Sequence, residues 1–249
     1  MPSVRVATVA LLLLLLPALS GCFDLGGVGP RDYVSGSRYT KWVVEVDYAT
    51  GKQPSTDLLT FLEGRLEAVV NKPDGVEFRL GESLSDSNRR WGFGELQSYA
   101  ASHAGMRTEG STVVLHLLFV KGSTEQDSGD SKVLGVAFGA GPIAIFSDSI
   151  DGLCAGILLN CNTANFYRSV VLHEFGHAMG LVNNGIPMVT HHEASSCGDE
   201  SDSGHSTNQN SVMFCAVENS TDILGLFGNA PPTTFDEQDR ADLKAAGGK

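Results

Sequence analysis

The stretch Val170-Val171-Leu172-His173-Glu174-Phe175-Gly176-His177-Ala178-Met179-Gly180 carries the residues best suited to chemistry. His173 and His177 stand four apart, so on a helix both imidazoles leave one face, a turn from each other. Two imidazoles so placed can share one zinc ion at about 2.0–2.1 Å. Glu174 lies beside His173 on the rim of that face. From there its carboxylate can take a proton from a water attacking a carbonyl, without ligating the metal itself. Leu172, Phe175 and Met179 occupy the other faces and can bury against a sheet. The plain alternative is a helix whose two His residues are satisfied by hydrogen bonds, since a bare His-Glu-x-x-His also arises by chance. The apolar helical context and a helix-ending Gly180 favour the metal.

With Gly180 the motif becomes His-Glu-x-x-His-x-x-Gly, which resembles the metzincin clan of zinc peptidases. In that clan the Gly turns the chain so that a third ligand, three residues on, meets the metal. Here that position is Asn183, and an amide oxygen is a poor zinc ligand beside imidazole or carboxylate. The later segment His205-Ser206-Thr207-Asn208-Gln209-Asn210-Ser211-Val212-Met213 resembles the archaemetzincin continuation, in which His-Cys leads through four residues to Cys-x-Met. The resemblance implies His205 as third ligand and Met213 as the Met-turn beneath the metal, with residues 181–204 an insertion. Ser206 and Ser211 stand where that family has Cys residues serving a second, structural zinc, so one catalytic Zn2+ is expected. Cys215 stands where some metzincins place a Tyr, which leaves oxyanion stabilisation to zinc and backbone donors. His192 and His191, nearer the helix in a polar stretch, compete with His205 for the third place, and Asn183 remains a candidate.

These side chains need a scaffold, and the hydrophobic pattern supplies one. Lys41 to Tyr48 alternates as a strand, with Trp42, Val44 and Val46 on one face. Pro54, Ser55 and Thr56 open a helix through Leu58, Leu59, Leu62, Leu66 and Val69. After the Pro73-Asp74-Gly75 turn, Val76, Phe78 and Leu80 alternate again. A weaker helix runs from about Glu95 to His103. Thr112 to Val120 is nearly all apolar, the mark of a strand buried on both faces, and His116 within it reads as a core residue. Lys121 to Lys132 reads as a loop, and Val133 to Phe146 as two short strands around Gly139-Ala140-Gly141-Pro142. A helix from about Asn165 to Gly180 follows. Thr234 and Glu237 match a capping box ahead of a short last helix. This order gives a layered α/β (α+β) arrangement. The resemblance implies a metzincin-like zincin: a mixed twisted sheet, an active-site helix and a small loop-rich C-terminal subdomain. It also implies an antiparallel edge strand for peptide substrate within Val133 to Phe146.

Composition sets the bounds. At 249 residues, 42% apolar and 18% charged, the chain fits one compact domain. A net charge of -12 argues against nucleic acid, whose phosphates need Lys and Arg. Arg5, the apolar run Val6 to Leu16 and Leu19-Ser20-Gly21-Cys22 resemble a prokaryotic lipoprotein signal peptide with its lipobox. That resemblance implies lipidation at Cys22, export, and a membrane anchor at the cell surface or in the envelope. Residues 1–21 are then the signal, the Gly-rich residues 22–38 a flexible tether, and 39–249 the domain, with lobes 39–180 and 181–249. Cys154, Cys161, Cys197 and Cys215 suggest disulfides in an exported chain. Of three possible pairings, one joins Cys154 to Cys161 and Cys197 to Cys215. Two readings of function follow. One is a zinc metallopeptidase cleaving a peptide or protein substrate. The other is a non-catalytic surface lipoprotein that uses the same fold for binding. An intact Glu174 favours the enzyme.

Overall fold

The structure is a computed structural model, described over residues 27–85, 88–155, 161–194, 204–228 and 230–249. Strand β1 (Lys41–Ala49) pairs in parallel with β2 (Val76–Leu84) on one side and β4 (Thr112–Thr124) on the other. Strand β6 (Ile143–Phe146) adds in parallel to β4, and β5 (Gly135–Ala137) closes the edge antiparallel to β6. The order is β2-β1-β4-β6-β5, a mixed sheet with its one antiparallel strand at the edge.

Both faces of the sheet are covered, which is why β4 reads as continuous apolar sequence. Val113, Leu115, Leu117 and Phe119 turn to one face, with Trp42, Val44 and Val46. There they join Leu58, Leu62 and Leu66 of α2 (Thr56–Glu67) and Val170, Val171 and Phe175 of α5 (Thr163–Ala178). Leu118 and Val120 turn to the other face, against Leu96, Tyr99 and Ala100 of α3 (Phe93–His103). His116 also lies on this side, its Nε2 2.8 Å from Asp47 Oδ2 and its Nδ1 3.2 Å from the Ala100 carbonyl. It is a satisfied core residue. A Leu or Phe moved fully out of water contributes about 1.5–3 kcal/mol. With Phe166, Val170, Val171, Leu172 and Phe175 all buried, α5 is a fixed platform for the side chains it presents.

Several expectations need correction. The described part of the expected tether, residues 27–38, is not a tether. It contains α1 (Pro30–Val34), with Tyr33 and Val34 in the core. Tyr33 Oη donates to the Ala140 carbonyl at 2.7 Å, and Lys72 Nζ binds the carbonyls of Asp32, Ser35 and Tyr39. Two buried aromatic and aliphatic side chains and a chelating ammonium outweigh the Gly and Pro content. Strand β4 runs on to Thr124, into the expected Lys121–Lys132 loop. Its polar end is held by the ladder to β3 (Asn88–Trp91), from Asn88↔Lys121 to Trp91↔Thr124. The last helix, α7 (Glu237–Ala245), is capped by Asp236 and Asp239, which exchange side-chain and backbone bonds at 2.8 and 3.0 Å. Thr234 is not the cap, because the helix starts at Glu237 and the N-cap position falls to Asp236. Two short helices were not anticipated: α4 (Ser147–Leu153) and α6 (Ser220–Phe227).

Cys154 and Cys161 form a disulfide just ahead of α5. Cys215 is disulfide-bonded as well. The expected pairing to Cys197, like the lipidation of Cys22, falls outside the described residues. Among the described residues no helix is long and apolar enough to cross a membrane.

Candidate metal centre

Helix α5 is N-capped by Asn162, whose side chain accepts from Asn165 N, and C-capped by Met179, just ahead of Gly180. Gly180 has φ +80°, a conformation that favours Gly, and an added Cβ would come within 2.7 Å of Pro30 Cβ. The helix therefore ends where the motif places its Gly. Beyond it Val182 and Asn183 also take positive φ, 53° and 61°. Asn183 is exposed, whereas the imidazoles of the site are buried.

His173 and His177 are buried, their ring centroids 4.6 Å apart. The third imidazole is His205, with centroids 5.3 Å from His173 and 4.9 Å from His177. Backbone bonds hold it there. His205 O accepts from Ala194 N, Ser206 N donates to Met213 O, and Thr207 N donates to His192 O, each at 2.8 Å. The segment carrying His205 is thus a rib between residues 192–194 and the turn at Met213. Met213 is fully buried under α5. A Cβ on Gly176 would overlap Met213 Sδ, so the Gly between the two helix histidines lets the turn approach. His191 is exposed. His192 is buried elsewhere, its Nε2 3.5 Å from Asp239 Oδ1 and 3.6 Å from Asp242 Oδ2.

One residue of the cluster was missed: Glu218. Its Oε1 lies 2.9, 3.6 and 3.9 Å from Nε2 of His205, His177 and His173. No spacing rule points to it, because it enters from the end of a short 3-10 turn, Cys215–Val217, five residues past Met213. Among the described residues, His173, His177, His205 and Glu218 are the group whose donor atoms, all within 4.8 Å of one another, can hold a metal ion.

The donor chemistry fits a cation. His173 Nδ1 is 2.7 Å from the Val212 carbonyl, so Nδ1–H donates and Nε2 keeps its lone pair for a metal. His177 Nε2 stands 3.0 Å from His173 Nε2. Burial pushes His177 down to about 4, leaving it neutral at ordinary pH, as a ligand must be. An ion shared at 2.0–2.2 Å sets neighbouring donors about 3–4 Å apart. The separations from Glu218 to the three imidazoles, 2.9 to 3.9 Å, are close to that spacing.

Glu174 sits beside this cluster. Burial, and then the nearby Glu218 charge, raise its carboxyl well above the usual range, against a hydrogen bond from the backbone of Ala137. Gly135 of β5 makes room for it, since a Cβ there would lie 2.6 Å from Glu174 Oε1. A cleft of about 510 Å³ opens between β5 and the cluster, lined by Gly135, Ala137, Glu174, His177, His205 and Glu218 among others.

No protein-family model matches this sequence, and no curated protein does. Among solved structures the fold is similar to archaemetzincin from Methanopyrus kandleri, with a TM-score of 0.54, 14% identity, and coverage of 84% of this chain and 97% of that one. Metalloproteinase-II from Bacteroides fragilis is more distant, at a TM-score of 0.46 and 9% identity over 85% of this chain, and the chain spans about half (54%) of its length. The chain therefore has an archaemetzincin-like fold: a mixed α/β architecture with a twisted mixed sheet.

Proposed function

We propose that the protein is a zinc-dependent metallopeptidase that cleaves peptide or protein substrates. The observation that carries this reading is the convergence of three imidazoles from two distant segments, with Glu174 beside them and an edge strand along the cleft. Three histidines suit zinc among the common divalent ions. Zinc, when bound, supplies the Lewis acidity that polarises a carbonyl and makes water acidic enough to attack near neutral pH.

The chain's own residues do the rest. His173 is oriented by the Val212 carbonyl, and His205 by the rib it sits on. Glu174 takes the proton of the attacking water at its carboxylate. Burial raises its affinity for that proton, which suits a general base that later returns the proton to the leaving amine. An extended substrate can add to the outer edge of β5 by backbone hydrogen bonds. Gly135 keeps that edge close to Glu174.

For location, the proposal is export and anchoring through a lipid on Cys22, and its support is the sequence Leu19-Ser20-Gly21-Cys22 after an apolar run. Replacing Cys22 with Ser should stop labelling by a lipid precursor and move the protein out of the membrane fraction. Continued labelling would end this part of the reading.

A second reading has one observation in its favour. Glu218 supplies a fourth protein donor, and four protein donors are the mark of a structural zinc site in a non-catalytic binding protein. One experiment separates the two: zinc content and hydrolysis of a fluorogenic peptide library by the full chain and by Glu174→Gln. The enzyme reading expects equal zinc in both and a loss of about 10²–10⁴-fold in rate in the variant. Zinc-loaded parent with no hydrolysis favours the binding role, whereas equal turnover in both proteins would remove Glu174 as the base.

A further inference from the structure

Glu218 differs from the other three donors in how it is held. His173 and its two imidazole neighbours have side chains 0 to 11% exposed, whereas the Glu218 side chain is 44% exposed. Its backbone is nevertheless fixed. Glu218 N donates to Cys215 O at 3.1 Å, Leu134 N donates to Glu218 O at 3.0 Å, and Asn219 bridges to Val133. Cys215 itself is anchored by a disulfide. The residue is therefore a fixed post with a half-solvated arm. Rotation about its side-chain torsions can carry the carboxylate from the cluster to water without moving the backbone.

We propose that Glu218 is a displaceable fourth ligand: with its carboxylate on the metal the site is closed, and an incoming oxygen donor opens it by taking that place. The proposal rests on the reading of the cluster as a metal centre. Three observations carry it. Glu218 Oε1 faces the same point as the three Nε2 atoms, at 2.9, 3.6 and 3.9 Å. The carboxylate lies in the cleft that borders edge strand β5, so it stands where a substrate carbonyl has to enter. Glu174, which would serve as base, is a separate carboxylate, so moving Glu218 leaves the base in place. Four protein donors make a closed site and three leave an open position. Here one side chain decides which of the two the protein has. The class of ligand able to displace it is an anionic or strongly polarised oxygen donor, such as a hydroxamate, a carboxylate or a peptide carbonyl.

The test uses the full chain loaded with Co2+ in place of zinc, whose visible absorption reports the donor set. Parent, Glu218→Ala and Glu218→Gln are compared before and during titration with acetohydroxamate. The expected result is a changed cobalt spectrum in Glu218→Ala and acetohydroxamate binding at least about tenfold tighter than in the parent, since no protein ligand then competes. Glu218→Gln, which keeps the shape and loses the charge, should fall between them. Identical spectra with equal acetohydroxamate affinity in all three proteins would overturn the proposal. So would loss of cobalt binding in Glu218→Ala despite a native far-ultraviolet spectrum, because Glu218 would then be a permanent ligand. A parent that takes up neither cobalt nor zinc would remove the metal-centre reading itself, and that outcome differs from both.

Discussion

Two of the regions that bury a histidine beside carboxylates, those of His177 and His192, come out as opposites. At His177 the neighbours are two more imidazoles and one carboxylate, and burial holds the ring down at about 4. At His192 the neighbours are Asp239 and Asp242. The Asp239 carboxylate, working against burial, raises that ring to about 9. The first ring is neutral and offers a lone pair, while the second is a cation gripped by two anions. Residue type is the same in both. The ratio of nitrogen donors to carboxylates around the ring decides whether the histidine can serve a metal or serves as an ion-pair partner.

The sharpest way to break this contrast is to remove each histidine in turn. His205→Ala should lower zinc affinity by more than the about 10–100-fold that outer changes cost. His192→Ala and Asn183→Ala, measured by chelator competition on folded protein, should stay within that bound. Zinc binding that survives His205→Ala and fails in His192→Ala would reverse the assignment of the two regions.

Stability should show the opposite order. Taking one partner from a buried ion pair typically costs about 3–5 kcal/mol. Asp239→Ala should approach that in urea unfolding of the metal-free protein, because Asp239 is fully buried and also caps α7. His205→Ala in the same metal-free protein should cost less than half as much. Equal losses would mean that both histidines are structural.

The two regions were also unequally legible. His173, Glu174 and His177 could be read because one helical turn brings them together, and local geometry is what spacing encodes. His205 was reachable only through its relation to Met213, which the resemblance supplied. Glu218 was not reachable, since the turn that delivers it has no periodic pattern. Asp239 and Asp242 lie more than 45 residues from His192, and nothing in either segment names the other. Segment 30–34 looks like a tether in sequence because the Gly and Pro content around it is local, while the core partners of Tyr33 and Val34 lie far along the chain. Strands β1, β4, β5 and β6 and helices α2 and α5 were legible because alternation and helical period are local signals. The pairing order was not, because it is set by contacts across the sheet.

A subtler test uses pH. The folded His192 ring, at about 9, lies above the usual unfolded value of about 6.5. A group raised in the folded state contributes its full stability below about pH 6.5 and loses it as pH climbs through about 9. The expected loss across that window is on the order of 1–3 kcal/mol. Lys72, pushed down by burial to about 8, acts in the opposite sense above pH 8. The parent should therefore be compared with His192→Gln, in which the pH-dependent fall disappears and the Lys72 rise remains. A parent and variant with parallel profiles would show that folding does not raise the His192 ring.

The smallest effect on zinc belongs to the residue that joins the two regions. Ser211 Oγ donates to Asp239 Oδ2 and accepts from Met213 N at 2.8 Å. One hydroxyl thus links the ion-pair region to the turn beneath the histidine cluster. It stands where the resemblance places a family Cys, and here it is spent on hydrogen bonds within the chain. Ser211→Ala leaves a buried carboxylate oxygen and a buried N–H each short of one partner, a change that costs about 1–3 kcal/mol. It removes no donor to the metal, so zinc affinity should fall by no more than about tenfold, the low end for changes outside the ligands. Coupling is the informative quantity. If the two regions communicate through this hydroxyl, Ser211→Ala and Asp239→Ala together should cost less than the sum of each alone. Measured by urea unfolding of the metal-free protein, strict additivity would mean that Met213 holds its place without help from the ion-pair region. The two histidine environments would then be independent neighbours within one fold.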